Sequence, residues 1–266
     1  MSAEKVKTER LDEILVSQGY STHRSTRRLL QSRMVTVNGR RITDGSFAFD
    51  RHSDCLCIEG KSVATPPHLY LMMNKSQGTV CTHAKGTHES VFASLPEEFQ
   101  KPEHLPPLHS VGRLDFDTEG LLLLTTDGKL SHRITSPLTH STKTYFVCLK
   151  NECDETERKE YTERFAEGFD IERFRNERSF HSAPAELEWT DEANLYCSIY
   201  AKDMHLPALC LLTLTEGKFH QVKRMFWALG NEVVYLKRIA IGKLFLDPAL
   251  TPGEWRALSL SEETLL

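Results

Sequence analysis

The sequence predicts an α+β protein built in two parts. Three observations carry this: two helix-like stripes and an Asn-Gly hairpin signal near the N-terminus, a Pro-containing connector, and strand-like runs from Leu69 onward. A chain of 266 residues has room for one or two domains with a real core. Its 39% hydrophobic and 26% charged residues exclude collagen-like, low-complexity and wholly disordered classes.

Leu11, Ile14 and Leu15 form an apolar stripe that should stop at Gly19, a helix-ending glycine. Ser21 is then the expected N-cap of a second short helix. Its arginines Arg24, Arg27 and Arg28 fall on one face, with Leu29 and Leu30 turned toward a small core. Met34–Ile42 alternates around Asn38-Gly39, the strongest short hairpin signal. Between Ser21 and Thr43 stand six arginines (Arg24, Arg27, Arg28, Arg33, Arg40 and Arg41) and no acidic residue. Such a segment suits phosphate contact, because bases release counterions only where they touch the backbone. The bland alternative is a solvated face with incidental arginines. The net charge of −4 hides this patch, since Asn151–Glu192 carries fourteen acids against six bases.

Residues 61–68, with Pro66 and Pro67, read as an extended linker. Leu69–Met73 and Gly78–Thr82 read as strands, and three prolines between Gln100 and His109 as an irregular loop. Asn151–Glu167 reads as an exposed helix, with Tyr161 and Phe165 on its buried side. The longest aliphatic run, Leu121–Leu124, is far short of the roughly 18–20 apolar residues of a membrane helix. The opening MSAEKVKTER lacks the apolar core of a signal peptide. Seven cysteines (55, 57, 81, 148, 153, 197 and 210) include no C-x2-C pair, and the twelve histidines form no HExxH pattern. Reduced thiols in a cytoplasmic protein, without a metal, are therefore expected.

The most informative block is Gly112–Gly128, where polar, Gly-bounded residues run into Leu121–Leu124. A strand buried on both faces fits this run. Asp115, Asp117 and Glu119 would then sit in a loop at the mouth of a sheet. Three uses suit them: Mg²⁺ binding, although no GxxxxGK[ST] phosphate loop accompanies them; a carboxylate-capped turn; or a nucleophile or base. A second block, Glu216–Gly230, spaces Phe219, Val222, Phe226 and Leu229 as the buried stripe of a helix. It places His220, Lys223, Arg224 and Trp227 on another face. A cation there can pair with a carboxylate or a phosphate; an ordinary basic surface is the competing reading.

The N-terminal segment, about Thr8 to Gly60, resembles the S4 RNA-binding domain in Arg10–Leu15, in Ser21 with Arg24, and in Val35–Gly39. The block Gly112–Gly128 resembles the catalytic motif of pseudouridine synthases. Asn74–Gly78, Ser131–Pro137 with Lys143–Tyr145, and His220–Met225 agree in order. Ser131–Pro137 and His220–Met225 look more like the RsuA-type branch, which acts on 16S ribosomal RNA, than its large-subunit relatives. One departure is Ser76, where the family usually has proline.

The resemblance implies an S4 domain over 1–60, a linker over 61–68 and a synthase domain over 69–266 with a mixed, largely antiparallel sheet. It implies Asp115 as the catalytic carboxylate, Tyr145 stacked on the target base, and Lys223 or the adjacent Arg224 paired with Asp115. RNA contacts are expected from the six arginines and from Lys75, Arg113, His220 and Arg224. The implied reaction isomerises a uridine and oxidises nothing, so no cofactor is expected. The implied partner is ribosomal RNA, as 16S RNA or a small-subunit assembly intermediate, bound by a monomer with no membrane. A large-subunit synthase and a non-catalytic S4-bearing assembly factor are the competing readings.

Overall fold

The computed structural model describes residues 8–18, 20–22, 24–51, 53–63, 65, 68–84, 86–96, 99, 108–173, 177–191 and 207–266. They form two compact units. One comprises Met1–Leu69, Pro96–His109 and Thr125–Gly128; the other comprises Tyr70–Leu95, Ser110–Leu124 and Lys129–Leu266. Gly19, Pro66, Pro67, Cys197 and residues 100–107, each given an expected role above, lie outside the described residues.

In the first unit, β1 (Glu9–Arg10) leads into α1 (Leu11–Ser17), followed by α2 (Thr26–Ser32), β2 (Val35–Val37), β3 (Arg40–Arg41), β4 (Ala48–Phe49), β5 (Leu56–Ile58) and β6 (Lys61–Val63). Leu11, Ile14 and Leu15 are fully buried with Leu30, Val35, Val37, Phe49 and Leu56, so the two helices and the sheet share one small core. The sheet runs β3-β2-β5-β6, all antiparallel. Asn38 and Gly39 both have positive φ, 51° and 78°, as the two-residue primed turn of the β2–β3 hairpin requires.

Two expectations for this unit need correction. The second helix begins at Thr26, and Ser21 is not its cap: the Ser21 hydroxyl lies 2.8 Å from that of Thr26. Arg24 thus precedes the helix, because Thr22 and Ser25 close a turn of their own, with the Thr22 amide donating to Ser25 Oγ. Nor is 61–68 wholly a connector, since Lys61–Val63 hydrogen-bonds to β5 as an edge strand. All six arginines are exposed.

The second unit is built on a mixed sheet. Its described strands are β7 (Tyr70–Lys75), β10 (His109–Ser110), β11 (Glu119–Thr125), β12 (Lys143–Leu149), β15 (Glu186–Trp189), β16 (Ala208–Leu214), β17 (Val233–Ile241), β18 (Leu244–Phe245) and β19 (Trp255–Ala257). The order is β15-β16-β12-β17-β11-β7-β19, with β10 on β11 and β18 on β17. The β11–β17 pair is parallel, while β12–β16, β12–β17, β15–β16, β17–β18 and β7–β19 are antiparallel. Small pairs β8–β9 (Thr79–Val80, Glu89–Ser90) and β13–β14 (Asp170–Ile171, Phe180–His181) lie outside this sheet.

Every residue of β11 is buried, as its run of leucines requires of a central strand. One face of the sheet packs Met72, Leu121 and Leu123 with Leu130 and Ile134 of α3 (Gly128–Thr135). Another core joins Val147, Leu212 and Leu236 to α4 (Glu155–Glu167) and α5 (Gln221–Ala228). The acidic segment forms α4 as expected: Asp154 caps it in a reciprocal box with Glu157, and Tyr161 and Phe165 are buried. The Phe165 and Phe226 rings meet at 4.9 Å, fixing α5 against α4.

Among the described residues no helix is long and apolar enough to cross a membrane. The described cysteines carry free thiols.

Candidate active site

Asp115 lies on the loop between β10 and β11, where the sheet's most buried strand begins. The turn is closed by the Thr118 amide, which donates to the Asp115 carbonyl at 3.1 Å. From outside, the Gly78 amide donates to the Phe116 carbonyl at 2.8 Å. From beneath, the Lys75 ammonium donates to the carbonyls of Thr118 and Ser76, each at 3.0 Å.

Lys75 therefore holds the loop from inside and does not offer its charge to RNA, since the whole residue is buried. Burial pulls its pKa below the usual ammonium range, while Cys81 and the acids Asp117, Asp115 and Glu119 oppose that pull. A strand lysine beside a loop of carbonyls finds acceptors indoors, a choice that residue type alone does not reveal.

Glu119 is likewise not a loop residue. It opens β11, is fully buried, and accepts a 2.8 Å hydrogen bond from the Tyr235 hydroxyl. At Gly120, φ is 103° and a Cβ would stand 2.2 Å from the Arg238 carbonyl, so the parallel β11–β17 pairing requires glycine.

The second block supplies α5. Its buried face is Val222, Met225 and Phe226; Phe219 falls outside the helix and is 58% exposed, its ring 3.9 Å from that of His220. The reason is the backbone of His220, the N-cap, whose left-handed φ of 50° breaks the helical phase before Gln221. Gln221 starts the helix by accepting from the Lys218 amide at 2.8 Å.

Lys223 faces Asp115 at 3.5 Å and also hydrogen-bonds Asp117. Partial burial of Asp117 disfavours its charge, yet that hydrogen bond and the lysine's charge outweigh burial and hold the carboxyl below its usual range. His220 Nε2 lies 3.8 Å from the other Asp115 oxygen, and its Nδ1 is 2.9 Å from Glu177.

Arg224, one residue on, faces away from Asp115 toward Glu172, Arg178 and Glu177. It is 4% exposed, donates to the Glu172 and Arg178 carbonyls at 3.0 and 2.7 Å, and lies over the Phe180 ring at 4.6 Å. Its Nε is 3.5 Å from Glu177. Adjacent helix positions point about 100° apart, so only one of Lys223 and Arg224 can meet the loop. The geometry selects Lys223 for the Asp115 pairing, and the Arg224 guanidinium is held against Glu172, Arg178 and Glu177 instead.

Two openings meet at Asp115, His220 and Lys223. A narrow pocket of about 80 Å³ is lined also by Arg113, Tyr145, Leu214 and Leu236. Tyr145 reaches it from β12, half-buried, and Arg113 is exposed at its edge. A wider cleft of about 930 Å³ continues past Phe116, Trp227 and Lys150. Glu177 was missed by sequence reasoning, because an acid in an acidic segment looks like solvated surface. Among the described residues no cluster of His, Cys, Asp and Glu fits a metal ion.

A carboxylate pinned at the mouth of a buried strand, faced by a lysine and opening onto a cleft lined by Phe116 and Trp227, sits in an α+β domain built on a mixed sheet. The chain belongs to the RNA pseudouridylate synthase family, whose model matches residues 69–228. It is 37% identical over 257 residues to an uncharacterized RNA pseudouridine synthase of Bacillus subtilis, covering 97% of this chain and 98% of the relative. It is 39% identical over 254 residues to the ribosomal small subunit pseudouridine synthase A of Pasteurella multocida, covering 95% and 97%. A crystal structure of a pseudouridylate synthase aligns with a TM-score of 0.61 at 35% identity, over 96% of this chain and 98% of that one.

Proposed function

We propose that the protein isomerises one specific uridine to pseudouridine in small-subunit (16S) ribosomal RNA, with Asp115 as the catalytic carboxylate. The observation that carries this reading is the Asp115–Lys223 pair, 3.5 Å apart at the junction of the two openings. In the reaction the N1–C1′ bond breaks, the base turns, and C5 bonds to C1′; C5 loses a proton and N1 gains one. Nothing is oxidised, so the chemistry needs no redox partner. A carboxylate beside the flipped nucleotide stabilises or captures positive charge developing on the sugar. Lys223 faces that carboxylate at 3.5 Å and holds it in place, and Tyr145 supports the base from β12.

The N-terminal unit acts in this reading as an S4-type module that supplies salt-sensitive affinity through its exposed arginines. The protein works as a cytoplasmic monomer on 16S RNA or on a small-subunit assembly intermediate. The small-subunit target is supported by similarity to relatives bearing that name over nearly their whole length.

The test is chemical mapping of pseudouridine in 16S and 23S RNA from cells with and without the protein, paired with purified wild-type and Asp115→Asn enzyme on the mapped RNA. One 16S site should vanish in the deletion, and D115N should form no product. An unchanged 16S profile overturns the target, and an active D115N overturns the role of Asp115.

A further inference from the structure

We propose that Trp227 is the stacking platform for a nucleobase next to the target uridine, which makes the wider cleft a site for more than one nucleotide. This rests on the reading of the chain as a uridine isomerase acting on RNA. The cleft of about 930 Å³ exceeds what a single base requires, and Trp227 lines it together with Asp115, His220 and Lys223.

Trp227 is 47% exposed, while Val222, Met225 and Phe226 on the same short helix are buried. Those three anchor the helix to the core. Phe116, 44% exposed, lines the same cleft, so two aromatic side chains line it. Lys223 and Trp227 are four residues apart and share one face of α5, which separates their Cβ atoms by about 6 Å. Stacked nucleotides follow one another at about 3.4 Å along a strand, and the step lengthens when a base leaves the stack. By backbone position Trp227 thus lies within about two nucleotide steps of Lys223.

Flipping the uridine removes a stacking partner from its neighbour, and an indole replaces that partner at little cost in sequence preference. At the same end of the cleft the Lys150 ammonium is paired with Glu232 at 2.7 Å. Base stacking is the interaction this wall is built to give.

The probe is a short small-subunit RNA hairpin carrying the mapped uridine, or, if mapping finds none, the small-subunit fragment that binds tightest. It is made intact and with an abasic residue at each of the two positions on either side of a central uridine. Kd and kcat/KM are measured for wild type, Trp227→Ala and Trp227→Phe. On intact RNA, W227A should bind about tenfold more weakly and W227F nearly as well as wild type. One abasic position should weaken wild type by a similar factor and leave W227A unaffected.

Equal binding by W227A and wild type overturns the proposal. So does a W227A defect that persists undiminished on every abasic RNA, because the defect is then structural. Loss of turnover in all forms with the non-additive Kd pattern intact would sink the isomerase reading and leave the stacking platform standing.

Discussion

The carbonyl oxygen of Arg238 stands where a side chain at Gly120 would have to go: a Cβ there would lie 2.2 Å from it. The contact is backbone, so it cannot yield by a rotamer change, and φ at Gly120 is 103°. Gly120→Ala is therefore expected to cost more than about 2 kcal/mol of stability, or to prevent folding. Urea denaturation reads this directly, and a variant within about 0.5 kcal/mol of wild type would show that β11 and β17 can part without penalty.

Lys223 serves Asp115 and Asp117 together. Lys223→Met leaves both carboxylates without that cation, and kcat should fall about a hundredfold or more. Lys223→Arg keeps the charge and should recover a large part of the loss. Single-turnover rates on the mapped RNA separate the two variants; equal activity in wild type and K223M would remove the pair from the chemistry.

Glu177 holds His220 by Nδ1, so the other ring nitrogen is turned toward Asp115. Glu177→Gln keeps the size and a hydrogen-bonding group but drops the charge. A several-fold fall in kcat with little change in KM is expected, because the imidazole loses the carboxylate that orients it toward Asp115. A kcat equal to wild type would reduce Glu177 to a partner of Arg224 alone.

Replacing Arg24, Arg27 and Arg28 together with glutamine should weaken RNA binding and flatten the plot of log affinity against log salt. If all three touch phosphate, the slope falls by about 2 to 3. Filter binding across a salt series measures it. An unchanged slope would make the three exposed arginines bystanders.

Near the C-terminus, Arg256 grips Glu262 through two nitrogens, at 2.8 and 2.7 Å, and Asp247 at 2.6 Å. The hydrogen bond from Arg256 is the main cause holding the Glu262 carboxyl down to about 2, against an ordinary 4.5. A folded-state pKa below the unfolded one contributes stability that is complete above about pH 4.5 and lost as pH falls toward 2. Glu262→Gln should therefore lower the urea midpoint at pH 7 and pH 5 alike. Its gap from wild type should close between pH 4.5 and 2; a gap that stays constant would contradict this linkage.

What the sequence made legible follows period and punctuation. The leucines of β11, the Asn38-Gly39 hairpin and the Tyr161–Phe165 face of α4 are local patterns, and each folds as read. Errors arose where a side chain chose between water and an indoor acceptor. Lys75 and Arg224 are bases that find carbonyls inside, and Glu119 is an acid that finds a tyrosine. A single left-handed residue, His220, shifted Phe219 off the face its spacing assigned. Glu177 lies 62 residues from Asp115 by the numbering and meets it through His220, a meeting that tertiary folding alone creates.

The loop bearing Asp115 is moored from beneath by Lys75 and from outside by Gly78. A platform fastened on two sides does not travel to its ligand, so the work of distortion falls on the nucleic acid. Uridines in stretches whose pairing is loose or not yet formed meet that demand most cheaply. If 16S RNA is the substrate as proposed, the target is then taken most easily before the RNA's own folding is complete.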